Sequence, residues 1–105
     1  MKKSIYNRSI TEAKLCDLFN DTYGKQKIER FKKLEEEFAE LKEAFEEHNS
    51  KPTPKTLEHL KDEFSDVRAV LTQLSGLYDL YQQESIDMAI DKAYGRKKDP
   101  KYKRK

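Results

Sequence analysis

Apolar residues recur at alternating intervals of three and four on both sides of a short proline-containing break, a pattern that admits little except paired helices. After the break, Leu57, Leu60, Phe64, Val67, Leu71, Leu74, Tyr78 and Tyr81 keep this rhythm. They form a heptad-like seam of about seven turns at 3.6 residues per turn. Before it, Ile28, Phe31, Leu34, Phe38, Leu41 and Phe45 do the same, predicting a helix from Lys25 to about His48. Asn49-Ser50-Lys51-Pro52 ends that helix. Thr53 as N-cap and Pro54 at the first helical position begin the next. Upstream, Ser9-Ile10-Thr11-Glu12 matches a capping box, so a first helix is expected from about Ile10, with Leu15, Leu18 and Phe19 on one side and a stop near Tyr23-Gly24. A last helix is expected from about Glu84 to Tyr94, stopped by Gly95, with Asp99-Pro100 preventing its resumption. No stretch reads as a strand. The expected fold is all-α: an antiparallel helical hairpin with flanking helices, four-helix-bundle-like and completed by oligomerisation.

Oligomerisation enters because the core is thin. The chain has 105 residues, 35% of them hydrophobic and 40% charged, so one copy has little apolar surface to bury. A single all-α domain over residues 1–96 with a basic tail over 97–105 is expected, assembled as a homodimer or homotetramer. Gly76 inside the seam costs helix stability and permits close approach of another helix. Cys16 is the single cysteine, which rules out an intrachain disulfide, and reads as a small core residue near Leu15 and Leu18. No apolar run is long enough to span a bilayer, and Met1-Lys2-Lys3 is not followed by an apolar signal segment, so a cytoplasmic location is expected. The net charge of +2 conceals an asymmetry: residues 92–105 carry +7, leaving −5 on residues 1–91.

The acids of the body are arranged. Glu37-Phe38-Ala39-Glu40-Leu41 on the second helix is repeated in kind by Glu63-Phe64-Ser65-Asp66-Val67 on the third. Each segment sets two carboxylates three residues apart, on one face of a helix and beside the apolar seam. The midpoint of 37 and 66, and that of 40 and 63, both fall in the break at Lys51-Pro52. Folding the chain there places Glu37 level with Asp66 and Glu40 level with Glu63. Four carboxylates in one place repel, at roughly 4 kcal/mol per pair for about 4 Å and an effective dielectric near 20. Divalent cations relieve this, and oxygen ligands without His or Cys favour Mg²⁺ or Mn²⁺. Mg²⁺ held by a few carboxylates keeps positions for substrate phosphates, so such a site suits a nucleotide.

Glu36-Glu37-Phe38-Ala39-Glu40 followed by Glu63-Phe64-Ser65-Asp66 resembles the E-E-x-x-E … E-x-x-D signature of the MazG-like, all-α nucleoside triphosphate pyrophosphohydrolases. Thr22-Tyr23-Gly24-Lys25-Gln26 ahead of it and Asp91-Lys92-Ala93-Tyr94-Gly95-Arg96 behind it also look like the family pattern, and the likeness covers roughly residues 15–105. It implies hydrolysis of a (d)NTP to the monophosphate and pyrophosphate, with Mg²⁺ on Glu37, Glu40, Glu63 and Asp66. Glu36, Glu37 and Glu40 would be the catalytic acids, Glu36 ligating a further metal or orienting the attacking water. Lys92 and Arg96, four apart, would grip substrate phosphates, and Gln26 would contact base or ribose. Where many family members have Asn near the basic pair, this chain has Asp87 and Asp91, which leaves that role open.

Two other readings of the sequence are a non-enzymatic helical module whose basic tail binds nucleic acid or an acidic partner, and a catalytically silent family member acting as an adaptor. Neither a membrane nor nucleic acid is the expected partner. His59, one turn before Glu63, reads as a helix-surface histidine and His48 as a favourable partner of a helix C-terminus. Tyr78 and Tyr81 read as core or subunit interface.

Overall fold

The computed structural model describes residues 8–102. Met1-Lys2-Lys3 and the Lys103-Arg104-Lys105 end of the basic tail lie outside the described residues. Among those described there are four α-helices, α1 (Ile10–Tyr23), α2 (Lys27–Ser50), α3 (Pro54–Gly76) and α4 (Gln82–Lys97), then a 3₁₀ turn at Pro100–Tyr102, and no strand.

Ser9 starts α1 by accepting the Glu12 N–H on its hydroxyl at 3.0 Å. The Glu12 carboxylate is used elsewhere: it is buried, and its Oε2 accepts the backbone N–H of Gln82 at 2.9 Å. Glu12 thereby caps α4, whose own N-cap residue, Tyr81, makes no side-chain cap. An anion at that end also meets the positive pole of the helix dipole. At α3 the capping box is complete. The Thr53 hydroxyl accepts the Thr56 N–H, the Thr56 hydroxyl accepts the Thr53 N–H, and Pro54 sits at the first turn.

Two helix ends differ from expectation. The seam was expected to stay helical to Tyr81, but α3 stops at Gly76. The chain turns through Asp79, which adopts φ 58°, and Leu80 donates its N–H to the Ser75 carbonyl. Tyr78 and Tyr81 therefore lie outside α3. At the other end, α4 runs through Gly95 to Lys97. A helix tolerates a lone glycine at a cost near 1 kcal/mol, whereas Pro100 removes a donor and restricts Asp99 before it.

The most extensive packing is between α2 and α3, with α1 laid against α3. Contacts run in opposite order along α2 and α3: Arg30 bonds Gln73, Glu37 lies by Glu63 and Asp66, and His48 bonds Thr56. Gly76 lets α1 come close, since a Cβ there would lie 2.9 Å from Cys16 Sγ. Cys16 is buried, as expected of a small core residue, and burial pushes its thiol pKa up.

The apolar core of the described residues is small: Cys16, Ala44, Val67, Val70 and Leu74. Phe31, Phe38 and Phe45 on α2, and Leu57, Phe64 and Leu71 on α3, remain 43–59% exposed. The expected seam is thus split: Val67 and Leu74 lie in the buried contact, while the aromatic row and Leu57 and Leu71 line its edge. The reason is visible on α2, where the buried line is Arg30, Glu37 and Ala44, seven residues apart. Charged groups occupy the middle of the contact and displace the aromatic row to its flank.

Candidate metal centre

Glu37 and Glu63 come from facing positions of α2 and α3 and are buried, 6% and 9% exposed respectively. One oxygen of each is engaged. Lys33 Nζ, one turn earlier on α2, donates to Glu37 Oε1 at 3.0 Å, and His59 Nε2 lies 3.4 Å from Glu63 Oε1. The other oxygen of each, Oε2, is buried without a hydrogen-bond partner. A buried carboxylate oxygen left unpartnered carries a desolvation cost that folded proteins normally avoid. Asp66 completes the group, and the three residues offer oxygens that all lie within 4.8 Å of one another.

Of the four expected ligands, the fold therefore gathers Glu37, Glu63 and Asp66 tightly and leaves Glu40 at their margin. Glu40 is exposed, yet the charge of Glu37 beside it, with a smaller effect from Glu63, raises its pKa above the ordinary carboxylate value. The Asp66 pKa is raised too, first by burial and then by the charges of Glu37 and Asp62, with Lys33 opposing. Both shifts have the sign expected of crowded negative charge. The donor set is all oxygen, two of its members are buried carboxylates with an unsatisfied atom, and a hard divalent cation fits it.

The remaining candidates are dispersed. Glu36 is exposed and lies 3.5 Å from Lys33 Nζ through its Oε2. Gln26 is the N-cap residue of α2, exposed and without a side-chain cap bond. Lys92 and Arg96 border a recess of about 320 Å³ on α4 with Ser85, Met88 and Ala89, which contains none of the four carboxylates. Within one copy, no extensive packing of α4 against α2 or α3 ties them to the acids. His59 is on the helix surface as expected, but it bridges, lying 3.7 Å from Glu47 as well as close to Glu63.

Two residues that no sequence motif singled out, Gln73 and Arg30, build the surroundings. Gln73 is fully buried and engaged at both ends of its amide. Its Oε1 accepts from Arg30 Nε at 2.7 Å, and its Nε2 donates to Asn20 Oδ1 and to the Gly24 carbonyl, each at 3.0 Å. One side chain thus joins α2, α3 and the end of α1. Arg30, itself buried, lies 5.0 Å over the Tyr23 ring. Tyr23 makes an edge-on contact with Phe19, ring centres 5.1 Å apart. Phe19, Tyr23, Arg30 and Lys33 line a recess of about 230 Å³ together with Glu37 and Asp66. A larger groove, about 750 Å³, is lined by Leu15, Phe64, Arg68 and Leu71 and holds none of the four carboxylates, so the smaller recess is the one that borders the chemistry.

Arg30 and Gln73 share the midpoint of Glu37 and Asp66, which sets them level across the two helices without singling them out. Compared with protein-family models, with curated proteins and with solved structures, the chain finds no match.

Proposed function

We propose that the chain is a Mg²⁺-dependent nucleoside triphosphate pyrophosphohydrolase that converts a (d)NTP to the (d)NMP and pyrophosphate. The reading is carried by the pair of buried, unpartnered carboxylate oxygens on Glu37 and Glu63, grouped with Asp66 beside a recess that Glu37 and Asp66 line together with Arg30, Lys33, Phe19 and Tyr23. The acidic signature shared with the MazG-like enzymes supports the choice of reaction.

Glu37, Glu63 and Asp66 would hold the metal, with Glu40 joining from the margin, and Mn²⁺ would substitute for Mg²⁺. The bound ion supplies Lewis-acid stabilisation of charge developing on the phosphate oxygens. Glu40, exposed at the edge of the cluster, would take a proton from an attacking water where the metal leaves it unengaged. Glu36, further out along α2, would help orient that water. Phe19 and Tyr23 offer apolar ring surface for a base.

The functional unit in this reading is an oligomer, an antiparallel hairpin of α2 and α3 paired with another. Phe38 directly follows Glu37, and Phe64 directly follows Glu63. On two helices running in opposite directions, one step beyond facing positions swings to the same side of both. Phe31, Phe38, Phe45, Leu57, Phe64 and Leu71 then form one apolar face, while Glu40 and Asp66 lie on the other. Six half-exposed side chains at roughly 200 Å² each offer about 600 Å² per copy, enough for an interface of standard size.

Incubating the protein with a panel of dNTPs and Mg²⁺, and assaying pyrophosphate, tests the reading. Release from at least one nucleotide, lost in Glu40→Gln, is expected. Absence of release from every nucleotide, or release unaffected by that substitution, rejects it.

A further inference from the structure

We infer that Lys33 is a tethered counter-ion of the acid cluster, which a divalent cation displaces from Glu37, and which then serves with Arg30 as the anion-binding wall for substrate phosphates. This rests on the metal-site reading above and adds to it the residues that receive the phosphates.

The geometry points this way. Lys33 Nζ is 3.0 Å from Glu37 Oε1 and 3.5 Å from Glu36 Oε2. The carboxylate it holds is the one whose side chain is only 8% exposed and whose second oxygen has no partner. The ammonium therefore satisfies half of Glu37 and leaves the other half open. A divalent cation entering at that open oxygen brings twice the charge to the same carboxylate and repels the ammonium.

The released side chain has a destination. Lys33 is 43% exposed, flexible and already part of the lining of the recess beside Glu37 and Asp66. Arg30 lies one turn back on α2 and lines the same recess. Gln73 accepts from Arg30 Nε and fixes the guanidinium, and that bond does not require the two terminal amino groups. A rigid, pre-oriented arginine beside a mobile lysine is a suitable pair for a polyphosphate, the first as a fork of donors and the second as a point charge. Lys92 and Arg96, by contrast, share a recess that contains none of the acids.

The consequence is an ordered site: an occupied metal position frees the phosphate-binding lysine, so metal favours the polyphosphate and an empty site disfavours it. The ligand class is a metal-complexed di- or triphosphate, and inorganic pyrophosphate is the minimal probe.

Titrations of Mn²⁺ alone, then of the Mn²⁺–pyrophosphate complex, into wild type, Lys33→Met, Lys32→Met and the Lys92→Ala/Arg96→Ala double variant test the inference. Lys32 is its neighbour, 64% exposed and paired with Glu29, and controls for loss of one positive charge. Lys33→Met is expected to bind Mn²⁺ about twofold to fivefold more tightly, the range of a partly exposed ion pair. It should bind the pyrophosphate complex about tenfold or more weakly, the value of a charge-assisted bond. Lys32→Met and the double variant should match wild type in both. Lys33→Met indistinguishable from Lys32→Met in both titrations overturns the inference and leaves the metal site standing. Pyrophosphate binding lost only in the double variant also overturns it, assigning the phosphates to α4. Failure of wild type to bind Mn²⁺ overturns the metal reading itself.

Discussion

The Nε of Arg30 on α2 donates a 2.7 Å hydrogen bond to Oε1 of Gln73 on α3, and the same amide is bonded through its nitrogen to Asn20 and Gly24 at the end of α1. A buried cation is costly unless its donors find fixed acceptors, and here a fully buried glutamine supplies one. Replacing Gln73 with Ala leaves Arg30 without that acceptor and Gly24 without its donor. A loss of about 2–4 kcal/mol is expected from the buried, charge-assisted network. Urea unfolding at fixed protein concentration measures it, and a change near zero would show that the network is ornamental to folding.

The approach of α1 to α3 at Gly76 gives a second expectation. A Cβ at that position meets Cys16 Sγ at 2.9 Å, inside ordinary contact distance. Gly76→Ala should therefore cost about 1–3 kcal/mol through overpacking, despite the better helix propensity of alanine. Cys16→Ala removes the obstructing sulfur, so the double variant should recover a large part of the loss. A thermal-unfolding cycle over the four proteins reads the coupling, and strict additivity of the two single effects would contradict the contact.

Charge crowding makes a prediction about pH. The carboxyl pKa values of Glu40 and Asp66 are raised in the fold, the first chiefly by Glu37 and the second chiefly by burial. For a raised carboxyl, the contribution to stability is fully present below the unfolded pKa and is lost as pH rises through the folded one. The metal-free protein should thus gain stability from neutral pH down toward about pH 4–5, before other groups intervene. Asp66→Asn should melt a few degrees above wild type at pH 7 without metal, and the difference should shrink on acidification. Adding Mn²⁺ should reverse the order, because wild type alone then gains the full ligand set. Melting curves across pH with and without Mn²⁺ check all three signs.

The exposed aromatic row predicts the assembly. Phe38 and Phe64 are 59% and 43% exposed on a chain whose buried apolar core is very small. Phe38→Lys/Phe64→Lys places two charges in the proposed face and should yield a monomer at concentrations where wild type is a dimer or tetramer. Size-exclusion chromatography with light scattering decides it; an unchanged mass in the double variant would move the interface elsewhere.

The helices were legible because their punctuation is chemical: Ser9, Thr53 and Pro54 start them, and Gly24 and Pro100 stop them. That Glu37, Glu63 and Asp66 come together was legible from the two acid pairs sharing one arithmetic midpoint, whereas Glu40, expected level with Glu63, stays outside the group. The heptad pattern misled at two points. It carried α3 on to Tyr81, although Gly76 and Asp79 break the helix, and it placed Phe38 and Phe64 in the core. Hydrophobic periodicity assigns the centre of a contact to apolar residues, and here Arg30, Glu37, Glu63 and Gln73 share it with Ala44, Val67, Val70 and Leu74. Arg30 and Gln73 share the midpoint of the acids, but a lone Arg and a lone Gln in a highly charged chain carry no composition signal. Only their burial distinguishes them. Lys92 and Arg96 were readable as a basic pair, whereas the recess they border, which holds none of the four acids, depends on how α4 leaves the body, which no local pattern encodes.

Mn²⁺ binding to the metal-free protein at neutral pH, read as loss of the free-ion electron paramagnetic resonance signal, tests whether the acids brought together from α2 and α3 hold a divalent cation. Wild type is predicted to take up at least one ion per chain, and Glu37→Gln, which removes the charge from the carboxylate with the open oxygen, to weaken that binding about tenfold or more. No uptake by wild type, or equal uptake by both proteins, would contradict it.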